Sequence, residues 1–298
     1  MSDVRTSEAG DATLPELGAR LLDDVVVEVS GDDARSWLQG QITCDLGGRE
    51  APAATYGLVL GAKGRIVSDL WVYDDGDPER IHVALPAGRG EATPERTLER
   101  LERYLVMEDV ELERVPLRVL SLQGTAAPGP AAEGGFPAGR LAGGVDRLVP
   151  EDAAAAQLGA ALAEGFGPLD AVQWERARVR LGRPAFPADA GDMLPQEAGL
   201  KSAVSFGKGC YFGQEAVVML EHRGKPPRRT VQIALPGPLV EAPLAVEAGG
   251  REAGTLTSVV PAADDGLVGL ARVKRKVLEA GTELRVGDRD VRVLRVLE

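Results

Sequence analysis

Residues 208–215 concentrate side chains that could do chemistry. Their sequence, K-G-C-Y-F-G-Q-E, combines two glycines with a lysine, an amide, a carboxylate and one of the two cysteines of the chain. They follow an irregular stretch rich in proline and glycine, from residue 182 to about residue 205. Irregular loops longer than about 12–15 residues are uncommon in compact domains and are often functional. We therefore predict a functional site in this region.

Cys210 is the candidate nucleophile of this segment. A helix that began near Tyr211 or Phe212 would place the thiol at its positive N-terminal end, and Lys208 lies two residues before the cysteine. Both features favour the thiolate form. The alternative is that Cys210 is a small buried hydrophobic residue, which is the usual role of a free cysteine.

Asp69 is the candidate binding residue of a predicted strand at residues 65–73. Alternation along the strand places Asp69 on one face with Trp71 and Tyr73. A carboxylate beside aromatic rings suits a flat, nitrogen-rich heterocycle, because the carboxylate accepts from ring N–H groups while a ring packs on the face of the heterocycle. The alternative is an edge-strand aspartate that faces water.

Five polar residues near these segments have more than one interpretation. Glu197 and Glu215 lie in or beside the long loop and the 208–215 segment, so they could line a pocket or be solvated loop charges. Gln39 and Gln41 close a first helix and could contact a ligand or cap the helix end. His222 has no evident partner in the sequence, and we expect it at the surface.

The elements that must position these residues combine strands and helices. Strand patterns before and after a helix that opens at residue 93 suit an α+β sandwich. These patterns lie at residues 25–29, 65–73, 81–85, 110–115 and 117–122. A later helix begins after Asp170, with Gln173 in the capping-box position, and stops at Gly182.

Two other stretches differ in composition. Residues 124–144 are rich in glycine, alanine and proline, and we predict a flexible loop there rather than a packed element. After residue 225, short strand patterns separated by turns predict an antiparallel barrel or sandwich of about 70 residues. These patterns lie at residues 230–235, 244–247, 254–259, 267–273 and 291–297.

Charge and composition argue against several classes of protein. The net charge of −12 over 298 residues is unlike that of a protein that tracks nucleic-acid phosphates. No apolar run approaches the roughly 20 residues of a membrane span, and residues 1–14 lack the apolar core of a signal peptide. Cys44 and Cys210 lie far apart without metal-ligand spacing. We expect a cytoplasmic protein with no metal site, no nucleic-acid partner and no membrane partner.

Four segments together resemble the YgfZ-type folate-binding proteins, which are relatives of aminomethyltransferase, the T-protein of the glycine cleavage system. Residues 208–215 look like the K-G-C-Y-x-G-Q-E signature of that family. Residues 38–45 resemble its L-Q-G-Q-x-T-x-D, residues 61–70 its G-x-x-G-R-x-x-x-D, and residues 194–197 its P-x-E. The segments occur in the family's order, and the resemblance covers nearly the whole chain after about residue 15.

The resemblance implies an α+β fold of three subdomains around a central hole that holds tetrahydrofolate. The middle subdomain would be ferredoxin-like and the last an antiparallel β-barrel. We accordingly expect a disordered lead-in over residues 1–14, a folate-binding region of two α+β subdomains over residues 15–225, and the barrel over residues 226–298. The implied role is support for the assembly or repair of iron–sulfur enzymes, with client proteins or assembly factors as partners.

The resemblance also assigns roles to particular residues. Cys210 would be the reactive thiol and Asp69 the acid/base or electrostatic group. Tyr73 lies four residues after Asp69, where aminomethyltransferases often have a tyrosine that contacts folate. The residues expected to bind tetrahydrofolate or a derivative are Asp69, Tyr73, Glu197, Lys208, Tyr211, Gln214 and Glu215.

Two departures from the aminomethyltransferases separate the functional hypotheses. Those enzymes usually carry two adjacent acids on the strand, and here the pair is Ser68-Asp69. They usually have a glutamate in R-x-E-A-G, and this chain has Arg180 there. Since the transferases also lack the 208–215 signature, a tetrahydrofolate-binding accessory protein is our first hypothesis. A folate-dependent aminomethyl or one-carbon transferase is the second, and a thiol-based scaffold without folate is the third.

Overall fold

The computed structural model describes residues 17–48, 50–87, 93–124, 135–262 and 266–298. The expected lead-in over residues 1–14 lies outside these ranges. Within them, two five-stranded sheets, a closed six-stranded barrel and seven α-helices make up the fold.

The elements alternate along the chain much as the sequence patterns predict. In chain order, the strands are β1 (Gly18–Leu21), β2 (Val25–Ser30), β3 (Ala53–Leu60), β4 (Ile66–Asp74), β5 (Arg80–Leu85), β6 (Glu111–Arg114), β7 (Leu117–Gly124), β8 (Phe136–Pro137), β9 (Gly143–Pro150), β10 (Gly167–Pro168), β11 (Arg228–Leu235), β12 (Leu244–Ala248), β13 (Arg251–Pro261), β14 (Leu267–Lys274), β15 (Leu284–Val286) and β16 (Arg289–Val296). The helices are α1 (Ala34–Gln41), α2 (Pro94–Glu102), α3 (Ala154–Ala163), α4 (Ala171–Arg180), α5 (Pro195–Ala198), α6 (Gln214–Arg223) and α7 (Arg275–Glu279), with a 3₁₀ turn at Lys201–Ala203.

The first sheet has the strand order β3-β4-β5-β2-β6, and its neighbouring strands are antiparallel. Without the edge strand β3, the order β4-β5-β2-β6, with α1 after β2 and α2 after β5, is that of a ferredoxin-like βαββαβ unit. Trp37 and Leu38 of α1 and Leu98 and Leu101 of α2 pack in one core cluster against this sheet. Burial of these helix faces therefore fixes the position of β4, the strand that carries Asp69.

The second sheet has the order β10-β1-β7-β9-β8 and packs against the first. Val26 and Tyr73 of the first sheet share a core cluster with Val119 and Phe136 of the second. The prediction of a flexible loop at residues 124–144 is therefore wrong in its described part. Phe136 and Ala138 are buried there, since their apolar side chains find a surface that the sequence composition does not show. Residues 125–134 of that loop lie outside the described ranges.

The C-terminal strands close into an antiparallel barrel in the order β11-β14-β13-β12-β15-β16. All five predicted strand patterns are barrel strands. The sixth strand, β15, was not predicted because its three residues are too few to show an alternating pattern. Alternate residues of β11, such as Val231 and Ile233, point into the barrel core. The expected α+β fold with a C-terminal barrel is confirmed.

The irregular segment between α4 and α6 joins the sheets to the barrel. It follows α4, whose predicted capping box is present: the Asp170 carboxylate accepts from the Gln173 backbone N–H at 2.7 Å, and the Gln173 side chain accepts from the Asp170 N–H at 2.8 Å. Met193 and Ala198 of the segment are buried in one cluster with Leu58. A long loop with its own core can hold side chains in fixed positions.

No helix in the described part of the chain is long and apolar enough to cross a membrane.

Candidate functional site

A cavity of about 980 Å³ lies where the two sheets, the irregular segment and the barrel meet. We call it the central cavity. Asp69 and Trp71 line it from the first sheet, and Arg140 lines it from the connection between β8 and β9 of the second sheet. Arg183 lines it from the irregular segment and Arg295 from the barrel. Its volume falls in the range typical of small-molecule sites, roughly 300–1,000 Å³.

Asp69 is a buried carboxylate with unused hydrogen-bonding capacity. It is 8% exposed, so the alternative that it faces water is excluded. Its Oδ2 accepts from the Tyr56 hydroxyl at 2.9 Å, whereas its Oδ1 is buried and has no hydrogen-bond partner among the described residues. Burial raises the pKa of Asp69 to about 6, although the Tyr56 hydrogen bond opposes the rise. Asp69 therefore offers an acceptor to a ligand.

Aromatic rings stand beside this carboxylate. Tyr56 lies directly across from Trp71 in the β3–β4 pair, and their ring centroids are 5.5 Å apart. Both residues line the central cavity. The Arg140 guanidinium lies 4.9 Å from the Trp71 ring centroid and steadies that ring by a cation–π contact. The wall next to Asp69 thus offers two aromatic rings, tilted by 47°, on which a planar ligand can pack.

A buried charged network supports this wall. Arg140 Nε lies 2.6 Å from Asp146 Oδ2, and its guanidinium also contacts the Tyr73 hydroxyl at 2.6 Å and Asp24 at 3.1 Å. Burial works against the charge on Arg140, but Asp146, Tyr73 and Asp24 outweigh it, so the pKa of Arg140 is raised well above its ordinary value. The arginine remains charged and holds these groups together.

Tyr73 belongs to this network rather than to the lining of the cavity. It is fully buried, and its hydroxyl donates to Asp146 at 2.6 Å. Burial raises the pKa of Tyr73 well above its ordinary value. The sequence predicted contact with folate at this position, and the structure instead places the side chain behind Arg140. Its role as a folate contact stays a prediction.

The 208–215 signature lies at a different place. Its exposed side lines an open groove of about 740 Å³, which we call the signature groove. The lining residues are Lys208, Gly209, Cys210, Gln214, Glu215, Val218, Met219 and His222. None of these described residues also lines the central cavity.

Cys210 is exposed in this groove, so the interpretation of it as a buried hydrophobic residue is wrong. The helix start near Tyr211 or Phe212 that would place the thiol at a helix N-terminus is not what the structure has, because α6 begins at Gln214. Gly213 precedes the helix with a φ of 80°, a left-handed conformation that glycine adopts without strain. The thiol therefore lies in the turn before the helix rather than in its first turn.

Lys208 is engaged by backbone carbonyls. Its ammonium donates to the carbonyl oxygens of Gln39 at 2.6 Å, Ile42 at 2.8 Å and Cys44 at 2.7 Å, which closes the C-terminal end of α1. Burial lowers the pKa of Lys208 to about 8. The predicted role of Lys208 in tuning Cys210 has no direct contact to support it among the described residues. The lysine instead ties the signature to the 38–45 segment.

Other signature residues fix the same junction. The Phe212 N–H donates to the Gly40 carbonyl at 2.9 Å, and a Cβ on Gly213 would overlap the Gly61 carbonyl oxygen. Tyr211 is 6% exposed and burial raises its pKa to about 12. The Gln214 side chain accepts from the Tyr211 N–H at 3.3 Å. The signature thus packs against two other segments that carry the family resemblance.

Three further predicted residues are placed as follows. Glu197 is 2% exposed, and its Oε2 accepts from the Leu194 N–H at 3.1 Å, so it caps α5 and lines neither the cavity nor the groove. The Gln39 side chain donates to Asp45 at 2.7 Å and accepts from the Leu46 N–H at 2.9 Å, which supports its capping interpretation. His222 is exposed, as expected.

The structure therefore brings one predicted residue, Asp69, to the central cavity and several to the signature groove. Sequence reasoning missed Tyr56, the hydrogen-bond partner of Asp69, and it missed Asp24 and Arg140 in the cavity wall and Asp146 behind them. Cross-strand pairing with Trp71 was the available signal for Tyr56, and the others gave none. In the described residues, no group of three or more His, Cys, Asp or Glu side chains is arranged to hold a metal ion.

Comparisons with known proteins identify sequence relatives of this chain. The chain is 31% identical over 235 residues to "tRNA-modifying protein YgfZ" of Vibrio vulnificus strain CMCP6, covering 71% of this chain and 68% of that protein. It is 28% identical over 321 residues to the protein of the same name from Escherichia coli O7:K1, covering 96% and 93% of the two chains. No family model matches the chain.

A solved structure gives the fold independently. The glycine cleavage system aminomethyltransferase T from Bartonella henselae superposes with a TM-score of 0.82 at 19% sequence identity, covering 96% of this chain and 86% of that one. The shared fold includes the sheets and the barrel that enclose the central cavity. The sequence relatives show that this chain belongs to the YgfZ family.

Proposed function

We propose that this protein binds tetrahydrofolate or a derivative in its central cavity and acts as an accessory protein for iron–sulfur enzymes. The observation that carries the folate part is Asp69, a buried carboxylate with an unpartnered oxygen beside an aromatic wall. A reduced pteridine has the matching chemistry: a flat pyrimidinone ring with N–H donors. The name of the aminomethyltransferase neighbour and the YgfZ family membership support the same ligand class.

Each wall residue has a distinct task in this proposal. Asp69 accepts hydrogen bonds from the ligand ring, and Tyr56 orients the carboxylate through the 2.9 Å hydrogen bond. Trp71 packs on the ring, and Arg140 holds Trp71 in place. A hydrogen bond to a charged group contributes about 1.5–3 kcal/mol, and leaving such an acceptor unpaired costs a similar amount. The ligand therefore gains affinity where the free protein has an unsatisfied group.

A folate-dependent aminomethyl or one-carbon transferase is the second candidate. The pKa of Asp69, about 6, suits proton transfer near neutral pH and favours this candidate. The structure also supports the accessory role, because Arg180, which replaces the transferase glutamate, donates through Nε and Nη2 to the Pro261 carbonyl at 2.9 and 2.6 Å. That side chain is used to hold the barrel rather than to bind a ligand.

The proposed partners are iron–sulfur client proteins or assembly factors, met through the signature groove. The support for this part is an exposed thiol, Cys210, in a groove separate from the folate cavity. The relatives are named as tRNA-modifying proteins. Because the chain has a net charge of −12, we propose that any such role is indirect and that tRNA phosphates are not its ligand. A cytoplasmic location is part of the proposal.

Calorimetric titration of tetrahydrofolate into the purified protein under anaerobic, reducing conditions tests the folate part. We expect the wild type to bind and Asp69→Ala to bind at least about tenfold more weakly. Asp23→Ala is the matched control, because it removes a nearby carboxylate that is 72% exposed. No binding by the wild type would contradict folate binding. Equal binding by Asp69→Ala and Asp23→Ala would contradict the role of Asp69.

Turnover assays separate the two candidates. We expect no tetrahydrofolate-dependent turnover of an aminomethylated carrier protein or small amine. Turnover that is lost in Asp69→Asn would instead favour the transferase, since this substitution keeps the shape of the side chain and removes its acid/base capacity.

A further inference from the structure

A second pocket, of about 560 Å³, lies where α5, α6 and α7 meet the start of β11. We call it the barrel pocket. Residues of each of these elements line it: Gln196, Leu220, Leu278 and Arg229. Of its described lining residues, only Val296 and Glu298 also line the central cavity, and none lines the signature groove. Its volume falls in the range typical of small-molecule sites, roughly 300–1,000 Å³. It is therefore a separate candidate site.

Gln196 supplies the barrel pocket with a buried acceptor. The residue is 6% exposed, and its side-chain Nε2 donates to the Val217 carbonyl of α6 at 2.8 Å. Its Oε1 is buried and has no hydrogen-bond partner among the described residues. Because a carbonyl partner must face the NH₂ end of the amide, the oxygen is the unpaired end. A ligand N–H or O–H that reaches this oxygen removes the cost of leaving it unpaired.

Arg229 supplies a guanidinium with unused donors. Its Nη2 donates to the Leu297 carbonyl at 3.2 Å, whereas its Nε is buried and has no hydrogen-bond partner in the described part of the chain. Its ion-pair partner is Glu298, 3.6 Å from Nη2, and that side chain is 85% exposed. An ion pair with so exposed a partner contributes little. Arg229 can therefore receive the carboxylate of a ligand, which a guanidinium binds well through two parallel hydrogen bonds.

The other three lining cations share glutamates of the pocket. These pairs are Lys201 with Glu221 at 2.6 Å, Arg275 with Glu279 at 2.6 Å and Lys225 with Glu279 at 3.9 Å. Arg275 also has a buried Nε without a hydrogen-bond partner among the described residues, but its Nη1 contacts both carboxylate oxygens of Glu279. Arg229 is thus the lining cation whose partner is most easily exchanged. One such cation suits a single carboxylate rather than a polyanion.

The acceptor and the guanidinium reach the pocket from adjoining backbone. The Thr230 hydroxyl donates to the Glu197 carbonyl at 3.1 Å, which joins β11 to α5. Gln196 and Arg229 directly precede these two residues in the chain. The two groups therefore stand on adjacent elements of one pocket. Apolar surface is added beside them by Leu220, Leu278 and Val296.

We infer that the barrel pocket binds a small monocarboxylic acid that carries an N–H or O–H donor on its α-carbon and an apolar side chain, as apolar α-amino and α-hydroxy acids do. The carboxylate binds Arg229, the α-donor bonds Gln196 Oε1, and the side chain packs on the apolar residues. Because the terminal torsion of a glutamine side chain is soft, a small rotation presents the oxygen to the ligand. This inference is independent of the proposed folate binding.

Calorimetric titration of four related probes into the full-length protein tests the chemistry of the ligand. The probes are L-leucine, its α-hydroxy analogue α-hydroxyisocaproate, isocaproate, which lacks the α-donor, and leucinamide, which lacks the carboxylate. We expect saturable binding of leucine or of α-hydroxyisocaproate, and the tighter of the two identifies the class of acid. Isocaproate and leucinamide should each bind at least about tenfold more weakly, since each leaves one polar group of the pocket unpaired.

Substitutions locate the binding. Arg229→Met and Gln196→Leu should each weaken binding of the better acid at least about tenfold. Arg251→Met is the matched control, because it removes an exposed barrel arginine that does not line this pocket, and it should bind within about twofold of the wild type.

Three outcomes would overturn the inference: no saturable binding of either acid by the wild type, isocaproate binding as tightly as both, or Arg229→Met binding like Arg251→Met. Should Arg229→Met not fold, as judged by its circular dichroism, Gln196→Leu and the comparison of the four probes on the wild type still decide.

Discussion

The central cavity and the signature groove differ in how their polar groups are satisfied. In the cavity, the buried Oδ1 of Asp69 has no hydrogen-bond partner among the described residues. In the signature, the one ammonium, that of Lys208, has three carbonyl partners, and the buried Tyr211 hydroxyl is the group without a hydrogen-bond partner among the described residues of the segment. Unsatisfied buried groups mark a place where a ligand lowers the free energy, whereas satisfied ones mark a structural joint. The 208–215 signature thus mainly holds segments of the fold together, and Cys210 is its exposed thiol.

Substitution of Gly213 should have the largest effect on the free energy of unfolding. It tests whether the 208–215 signature serves mainly to hold segments of the fold together. Gly213→Ala must hold a Cβ at φ 80° and against the Gly61 carbonyl, so we expect the free energy of unfolding to fall by about 4 kcal/mol or more. Gly209→Ala is the matched control, because a Cβ there meets nothing within 4 Å. Urea unfolding measures both. Equal stability of the two variants would show that Gly213 is kept for function rather than for packing.

Removal of the Lys208 ammonium should have the next largest effect on the free energy of unfolding. Lys208→Met leaves three carbonyl oxygens at the end of α1 without their donor, and we expect a loss of about 3 kcal/mol in the free energy of unfolding. The exposed Lys63→Met is the control. Tetrahydrofolate affinity should stay within about twofold for both variants, measured under conditions in which they are folded. A tenfold loss of tetrahydrofolate affinity with unchanged stability would show that Lys208 takes part in binding and that the central cavity and the signature groove act as one site.

The pH dependence of stability tests whether burial of the charged Asp69 carboxylate in the cavity destabilises the folded protein. Its pKa is raised from 3.8 to about 6 in the folded state, so the protonated form is favoured and stability is lost as pH rises through about 6. Asp69→Asn is neutral at every pH. We expect it to be more stable than the wild type by about 3 kcal/mol at pH 7.5, with the difference closing between pH 6 and 4. Urea unfolding at several pH values measures this, and a constant difference would contradict the raised pKa.

Cysteine substitution should give the smallest effect. Cys210 is exposed, so Cys210→Ser should change the free energy of unfolding by less than about 0.5 kcal/mol and leave tetrahydrofolate affinity within about twofold. A thiol reagent should modify Cys210 quickly and the buried Cys44 slowly. Saturating tetrahydrofolate should not protect Cys210, because its groove and the central cavity share no described lining residue. Protection would show that the two regions communicate.

Elements with strong local signals were predictable from the sequence. The capping box at Asp170, the strand that carries Asp69 and the barrel strands follow from side-chain spacing alone. The packed part of residues 124–144 was not predictable. Its glycines and alanines are typical of a loop, and only the surface of the first sheet gives Phe136 and Arg140 a place to be buried. Local composition carries no information about such a partner.

The candidate site shows the same division. The sequence by itself determined the family resemblance, the α+β class with its barrel, and the candidacy of Asp69 and Cys210, since these depend on residue type and local order. Only the tertiary structure decided that Asp69 and Cys210 lie in separate sites, that Lys208 is a structural tie, and that Asp24 and Asp146 meet at Arg140. Strand register and long-range packing set these relations, and both arise from contacts between residues that are distant along the chain.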